Sequence, residues 1–156
     1  MAGVLRAEGN KPFLVELSRV RKQPRQARLE GNSTLNWQDL AHDCVSIIDF
    51  LRKDKNVTKL GIHGHSLGGV VGILAAQKRE LDFFYSDRSL YSLNEMALSW
   101  AGRIAQVIFQ LFFNECDDFN KAYLELKCYK VIGVDVRDSV IDYNCSMACG
   151  VSLGFA

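Results

Sequence analysis

The residues best suited to chemistry lie together in Gly61-Ile62-His63-Gly64-His65-Ser66-Leu67-Gly68-Gly69. Inside that run, Gly64-His65-Ser66-Leu67-Gly68 reads Gly-x-Ser-x-Gly. Where a strand reverses sharply into a helix, a serine between them sits in a strained backbone conformation. Glycine two residues to either side removes the Cβ that would strike the adjoining strand or helix. The turn holds the hydroxyl clear of the sheet at a helix N-terminus. There the amide of Leu67 points to where an oxyanion would form, and the helix dipole favours negative charge. Ser66 is the candidate nucleophile, Leu67 the candidate oxyanion donor, and Gly64 and Gly68 the residues that permit the turn. The plainer alternative is a glycine-rich turn in which Ser66 caps the helix.

The bare pattern arises by chance in about one chain in twenty of this length, and Gly150-Val151-Ser152-Leu153-Gly154 also matches it. Context separates the two: an apolar strand precedes Ser66 and a small-residue helix follows it, whereas Ser152 follows Cys145-Ser146-Met147-Ala148-Cys149. Ser152 is read as coincidence. A phosphate-cradling loop would need Gly-Lys-Ser/Thr and a dinucleotide fingerprint Gly-x-Gly-x-x-Gly, and the turn has neither. His63 and His65 share a strand face, but the turn adds no third ligand, so no metal and no cofactor are expected.

The elements that must hold this turn are legible in the apolar spacing. Trp37, Leu40, Ala41, Cys44, Ile48 and Leu51 describe one face of a helix, with Asn36 and Asp39 as its start signal and Asn56 as its stop. A strand over Lys59–His63 follows, then the turn, a helix from about Gly68 to Lys78 and a strand over Leu81–Tyr85. A long helix over Asn94–Phe113 comes next, with Trp100 on its apolar side, then a strand over Cys128–Val134. Phe13–Leu17 is a further short strand. Strand and helix in alternation give an α/β layout, a mostly parallel sheet with right-handed crossovers and helices on both faces.

Length and composition set the limits. The chain has 156 residues, 48% of them apolar and 24% charged, with a net charge of +1, enough for one buried core and unlike a disordered or nucleic-acid-binding chain. Residues 1–34 form a basic segment, with Arg6, Lys11, Arg19, Arg21, Lys22, Arg25 and Arg28 against Glu8, Glu16 and Glu30. It lacks interleaved aromatics, so it reads as a solvated connector, and no nucleic acid is expected as partner. Residues 35–156 carry the core. The longest apolar stretch, Met96–Phe113, is broken by Ser99, Arg103, Gln106 and Gln110, so no membrane span is expected. Five scattered cysteines without Cys-x-x-Cys spacing, and no N-terminal apolar run, predict a reducing, cytoplasmic setting.

Gly64-His65-Ser66-Leu67-Gly68-Gly69 resembles the nucleophile elbow of the α/β-hydrolase superfamily. Asp87–Leu93, the long helix and Val131–Ile141 extend the likeness toward the serine-aminopeptidase-like branch, over about residues 34–145. The resemblance implies a partial α/β-hydrolase sheet and a serine hydrolase acting on an ester, thioester or amide of a small-molecule or lipid-like substrate through an acyl-enzyme. In that family the acid follows the strand corresponding to Tyr129–Val134. Asp138, before Ser139-Val140-Ile141, matches it, with Asp135 and Asp142 close by. Asp87 is expected to pair with a backbone amide or Arg88. The family's base is a histidine after the acid, yet His42, His63 and His65 all precede Ser66. A family sheet needs well over ~200 residues. The expectation is therefore the central piece of a hydrolase, its histidine beyond residue 156, with little turnover by this chain. The competing expectation is a degenerate, non-catalytic module whose exposed sheet edge and Phe109, Phe112 and Phe113 seek a partner chain or lipid.

Overall fold

The computed structural model describes residues 3–5, 13–17, 37–112 and 119–154; of these, 3–5, 13–17 and 103–112 are described by their backbone. Five strands form one sheet in the order β1-β2-β3-β4-β5: β1 Gly3–Leu5, β2 Phe13–Leu17, β3 Leu60–His65, β4 Phe83–Asp87 and β5 Tyr129–Gly133. β1 pairs antiparallel with β2, and the remaining pairs are parallel. The α/β class and the mostly parallel sheet are as expected. β1 was not legible, and it and β2 belong to the same sheet as the strands beyond residue 35.

The turn and helix spacing translates into α1 Trp37–Lys53, α2 Leu67–Ala76 and α3 Leu93–Phe112; α4 Phe119–Glu125 and α5 Met147–Leu153 were not expected. On α1 the buried positions are Ala41, Cys44, Val45, Ile48 and Leu51; of the stripe expected from the sequence, Trp37 and Leu40 are half-buried, and Val45 is added. α1 packs on α2, and α2 lies on β3 and β4. The close approach depends on Gly72, where a Cβ would stand 2.7 Å from the Phe84 ring and 3.2 Å from Ile62. α4 adds Tyr123, edge-on to Phe84 at 6.1 Å. The core lies between these helices and the face bearing Leu60, Ile62 and Phe84, all fully buried.

Three expectations are corrected. β4 begins at Phe83 rather than Leu81, because Asp82 closes the start of β3. Its carboxylate accepts the Leu60 N–H at 2.8 Å, and its own N–H donates to the Leu60 carbonyl at 2.9 Å. α3 is two helical segments meeting at Gly102 (φ 75°, ψ −176°), a conformation open to glycine, so the continuous amphipathic helix is broken there. Trp100, placed on the apolar side by its spacing, is 60% exposed. Phe109, Phe112 and Phe113 lie outside the described side chains, and Cys116 and Arg19–Arg28 outside the described residues. No helix among the described residues is long and apolar enough to cross a membrane.

Candidate active site

Ser66 sits between the last residue of β3 and the first of α2 with φ 55° and ψ −125°, a conformation that non-glycine residues seldom adopt. It makes no side-chain cap hydrogen bond to α2, so the capping role is not the one this serine plays. Ser146 shows the contrast: its hydroxyl accepts the Cys149 N–H at 3.3 Å and caps α5. Ser152, the other pattern match, lies within α5 and donates to the Ala148 carbonyl at 2.8 Å, a helical residue and not a turn. Leu67 opens α2 and is 39% exposed; as the first helical residue, its N–H has no acceptor in the helix.

The steric logic of the turn holds at Gly64 and extends further than the sequence reading reached. A Cβ on Gly64 would stand 2.6 Å from Gly69 Cα and 2.7 Å from the Gly68 carbonyl oxygen. Gly68 is buried in the first turn of α2. Gly69 carries a constraint of its own, because a Cβ there would overlap Ser89 Oγ. That hydroxyl lies 3.4 Å from the carbonyl oxygens of both Gly64 and Asp87. The Ser66 N–H donates to the Asp87 carbonyl at 3.0 Å, carrying the β3–β4 pairing past the strand into the turn.

Register brings charged groups to this same end of the sheet. His63 pairs with Tyr85 and His65 with Asp87, which pairs in turn with Gly133. The His63 ring stacks on Tyr85 at 4.9 Å, and its Nε2 lies 3.5 Å from Asp87 Oδ2. Asp87 also faces Arg88, with Nε to Oδ1 at 3.2 Å and Nη2 to Oδ2 at 3.4 Å, the pairing expected for it. Burial alone would raise the Asp87 pKa, but the Arg88 guanidinium and the nearby histidines outweigh it and hold the carboxyl below the ordinary range. Arg88 itself has φ 45°, and its N–H donates to the Gly133 carbonyl at 2.8 Å.

Asp138 lies in the loop after β5. Its Oδ1 accepts the N–H groups of Ile141 at 3.0 Å and Val140 at 2.8 Å. These two amides, with the positive fields of Arg88 and His65, hold its pKa below the usual carboxylate value. Asp135 and Asp142, its sequence neighbours, serve the loop: Asp135 accepts from the Arg137 N–H at 2.9 Å, and Asp142 from the Asn144 N–H at 2.9 Å. Ser66 and Asp138 thus both stand at the C-terminal ends of the parallel strands, where open α/β sheets take their ligands. His42 is exposed on α1. No three histidine, cysteine or acidic side chains among the described residues cluster as a metal site. The His63–Asp87 proximity was missed at the sequence level, because it depends on the register of β3 against β4, which neither strand encodes alone.

No protein-family model and no curated protein matches the sequence. Among solved structures, an esterase from Pyrococcus furiosus is similar, with a TM-score of 0.54 and 14% sequence identity. The match covers 80% of this chain and 49% of the esterase, so the chain spans about half the length of that structure. At that identity the likeness is one of fold, and the fold is α/β-hydrolase-like.

Proposed function

We propose that this chain is the nucleophile-bearing core of a serine hydrolase that cleaves an ester, thioester or amide of a small or lipid-like substrate. The observation that carries the reading is the backbone of Ser66: a strained serine between strand and helix, with no cap hydrogen bond. Its hydroxyl oxygen would attack the acyl carbon while a base takes the proton. The oxyanion so formed would accept from the Leu67 N–H, half of an oxyanion hole. Collapse would break the bond to the leaving group, which takes the proton back, and water would then release the acyl group from Ser66. Asp138 is assigned to orient the base. That base is assigned to a histidine from outside residues 1–156, because the three within them precede Ser66. Residues 35–156 would carry most of the hydrolase core, and the basic segment 1–34 would add β1 and β2 to its sheet.

A non-catalytic, partner-binding module is the second reading, favoured by the edge strand β5, where Tyr129 is 72% exposed and Val131 36%. Fluorophosphonate labelling separates the two. On the hydrolase reading the probe modifies Ser66 slowly, faster with added imidazole, and Ser66→Ala abolishes the labelling. Ester turnover by these residues alone should lie about a million-fold below a complete triad. Failure to label Ser66 even with imidazole would leave the binding module. Efficient Ser66-dependent turnover would show that the base is already present.

A further inference from the structure

We propose that Trp100 is the positioning residue of the acid, holding Asp138 through a single peptide unit. This rests on the reading of Asp138 as the acid of the site. The indole Nε1–H of Trp100 donates to the Val140 carbonyl oxygen at 2.7 Å. The N–H at the other end of that same peptide unit, on Ile141, donates to Asp138 Oδ1 at 3.0 Å. The result is a continuous chain: indole N–H to carbonyl, peptide N–H to carboxylate. Each bond in such a chain polarises the next, because a carbonyl that accepts makes its own amide a better donor.

The surroundings explain why the loop needs an outside tie. Val134 is 39% exposed, Val136 77% and Val140 54%, so little apolar burial holds the backbone between β5 and Ile141. The bonds from the Arg137 and Asp138 N–H groups to Asp135 are local to the turn. Trp100 reaches it from 40 residues away in sequence. An indole that is 60% exposed contributes little to the core, and its one polar atom is committed to the peptide that binds the acid. Gly102, two residues on, breaks α3 with φ 75°. The charged groups facing Asp138 are Arg88 at the end of β4 and His65 at the end of β3, with Asp135 in its own turn. All three remain in the variants below.

The test is an NMR titration of this chain. In the unaltered protein the Trp100 indole N–H resonance should move with the Asp138 carboxyl as pH falls through the carboxylate range, and Asp138→Asn should abolish that movement. In Trp100→Phe, which keeps a ring and loses the donor, the Asp138 carboxyl should titrate about half a pH unit higher. An indole resonance indifferent to Asp138, or an Asp138 titration unchanged in Trp100→Phe, would overturn the assignment. If Trp100→Phe fails to fold, the comparison with Asp138→Asn still decides. Ser66 labelling is read separately: its failure beside an intact indole coupling would sink the hydrolase reading and leave the hydrogen-bond chain standing.

Discussion

Ser66 holds φ 55° and ψ −125°, at a cost of about 1–3 kcal/mol for a residue with a Cβ. What keeps it there is contact on both sides: Gly64 against Gly68 and Gly69, and the Ser66 N–H on the Asp87 carbonyl. Ser66→Gly and Ser66→Ala both remove the hydroxyl, but glycine alone relieves the torsion. After the extra chain entropy of glycine is set against that relief, Ser66→Gly should be more stable than Ser66→Ala by about 1 kcal/mol in urea unfolding. Equal stability, or an advantage for alanine, would mean that the turn carries no strain. The strand-to-helix turn around Ser66 was legible because its pattern lies in five consecutive residues, Gly64 to Gly68. The Gly69–Ser89 contact and the His63–Asp87 approach were not, because each joins residues on different elements whose register no local pattern encodes.

Lys130 shows how one element can stop another. It lies on β5, and its ammonium donates to the carbonyl oxygens of Tyr123 at 2.9 Å, Leu124 at 2.6 Å and Leu126 at 2.9 Å, filling all three donor positions at the end of α4. The same charge stands 5.3 Å from the centre of the Tyr123 ring. Lys130→Met would keep the stem and leave those carbonyls without their cation, a loss of about 2 kcal/mol readable as a lower urea midpoint. An unchanged midpoint would show that water replaces the cap. α4 and α5 themselves, each of 7 residues, escaped the sequence reading because so short a helix gives the periodicity too few turns. α1 and α2 were legible for the opposite reason: one repeats its stripe over 17 residues, and the other follows the glycine turn directly. The edge strand β1 has 3 residues, too few to alternate. α3 was legible as a helix but not as a broken one, since Gly102 alone could equally have been a tolerated interior glycine.

Across the whole molecule, paired carboxylates and buried thiols should make stability a dome in pH. The Leu60 amide and Arg52 hold Asp82 low, and the Ile141 and Val140 amides hold Asp138 low. Each binds its proton less readily folded than unfolded. Their contribution is therefore full above about pH 4 and is lost as pH falls through the depressed folded values. The alkaline limb has the opposite origin. Cys44 is 2% exposed on the buried stripe of α1, and burial pushes its thiol up to about 12. Unfolded, it ionises near about 8.5, so above that pH the unfolded chain sheds a proton that the folded chain keeps. Stability then falls by about 1.4 kcal/mol per pH unit for this one group, or about 2 kcal/mol between about pH 8.5 and 10. Burial raises the thiols of Cys128 and Cys145 in the same sense, so part of the slope should survive without Cys44. Urea midpoints taken from pH 3 to 10 on the protein and on Cys44→Ala provide the check. The variant, lower at neutral pH because it leaves a small void, should lose less stability than the parent on going alkaline. Parallel alkaline slopes would mean that the Cys44 thiol titrates folded much as it does unfolded, and that the α1–α2 interface admits water.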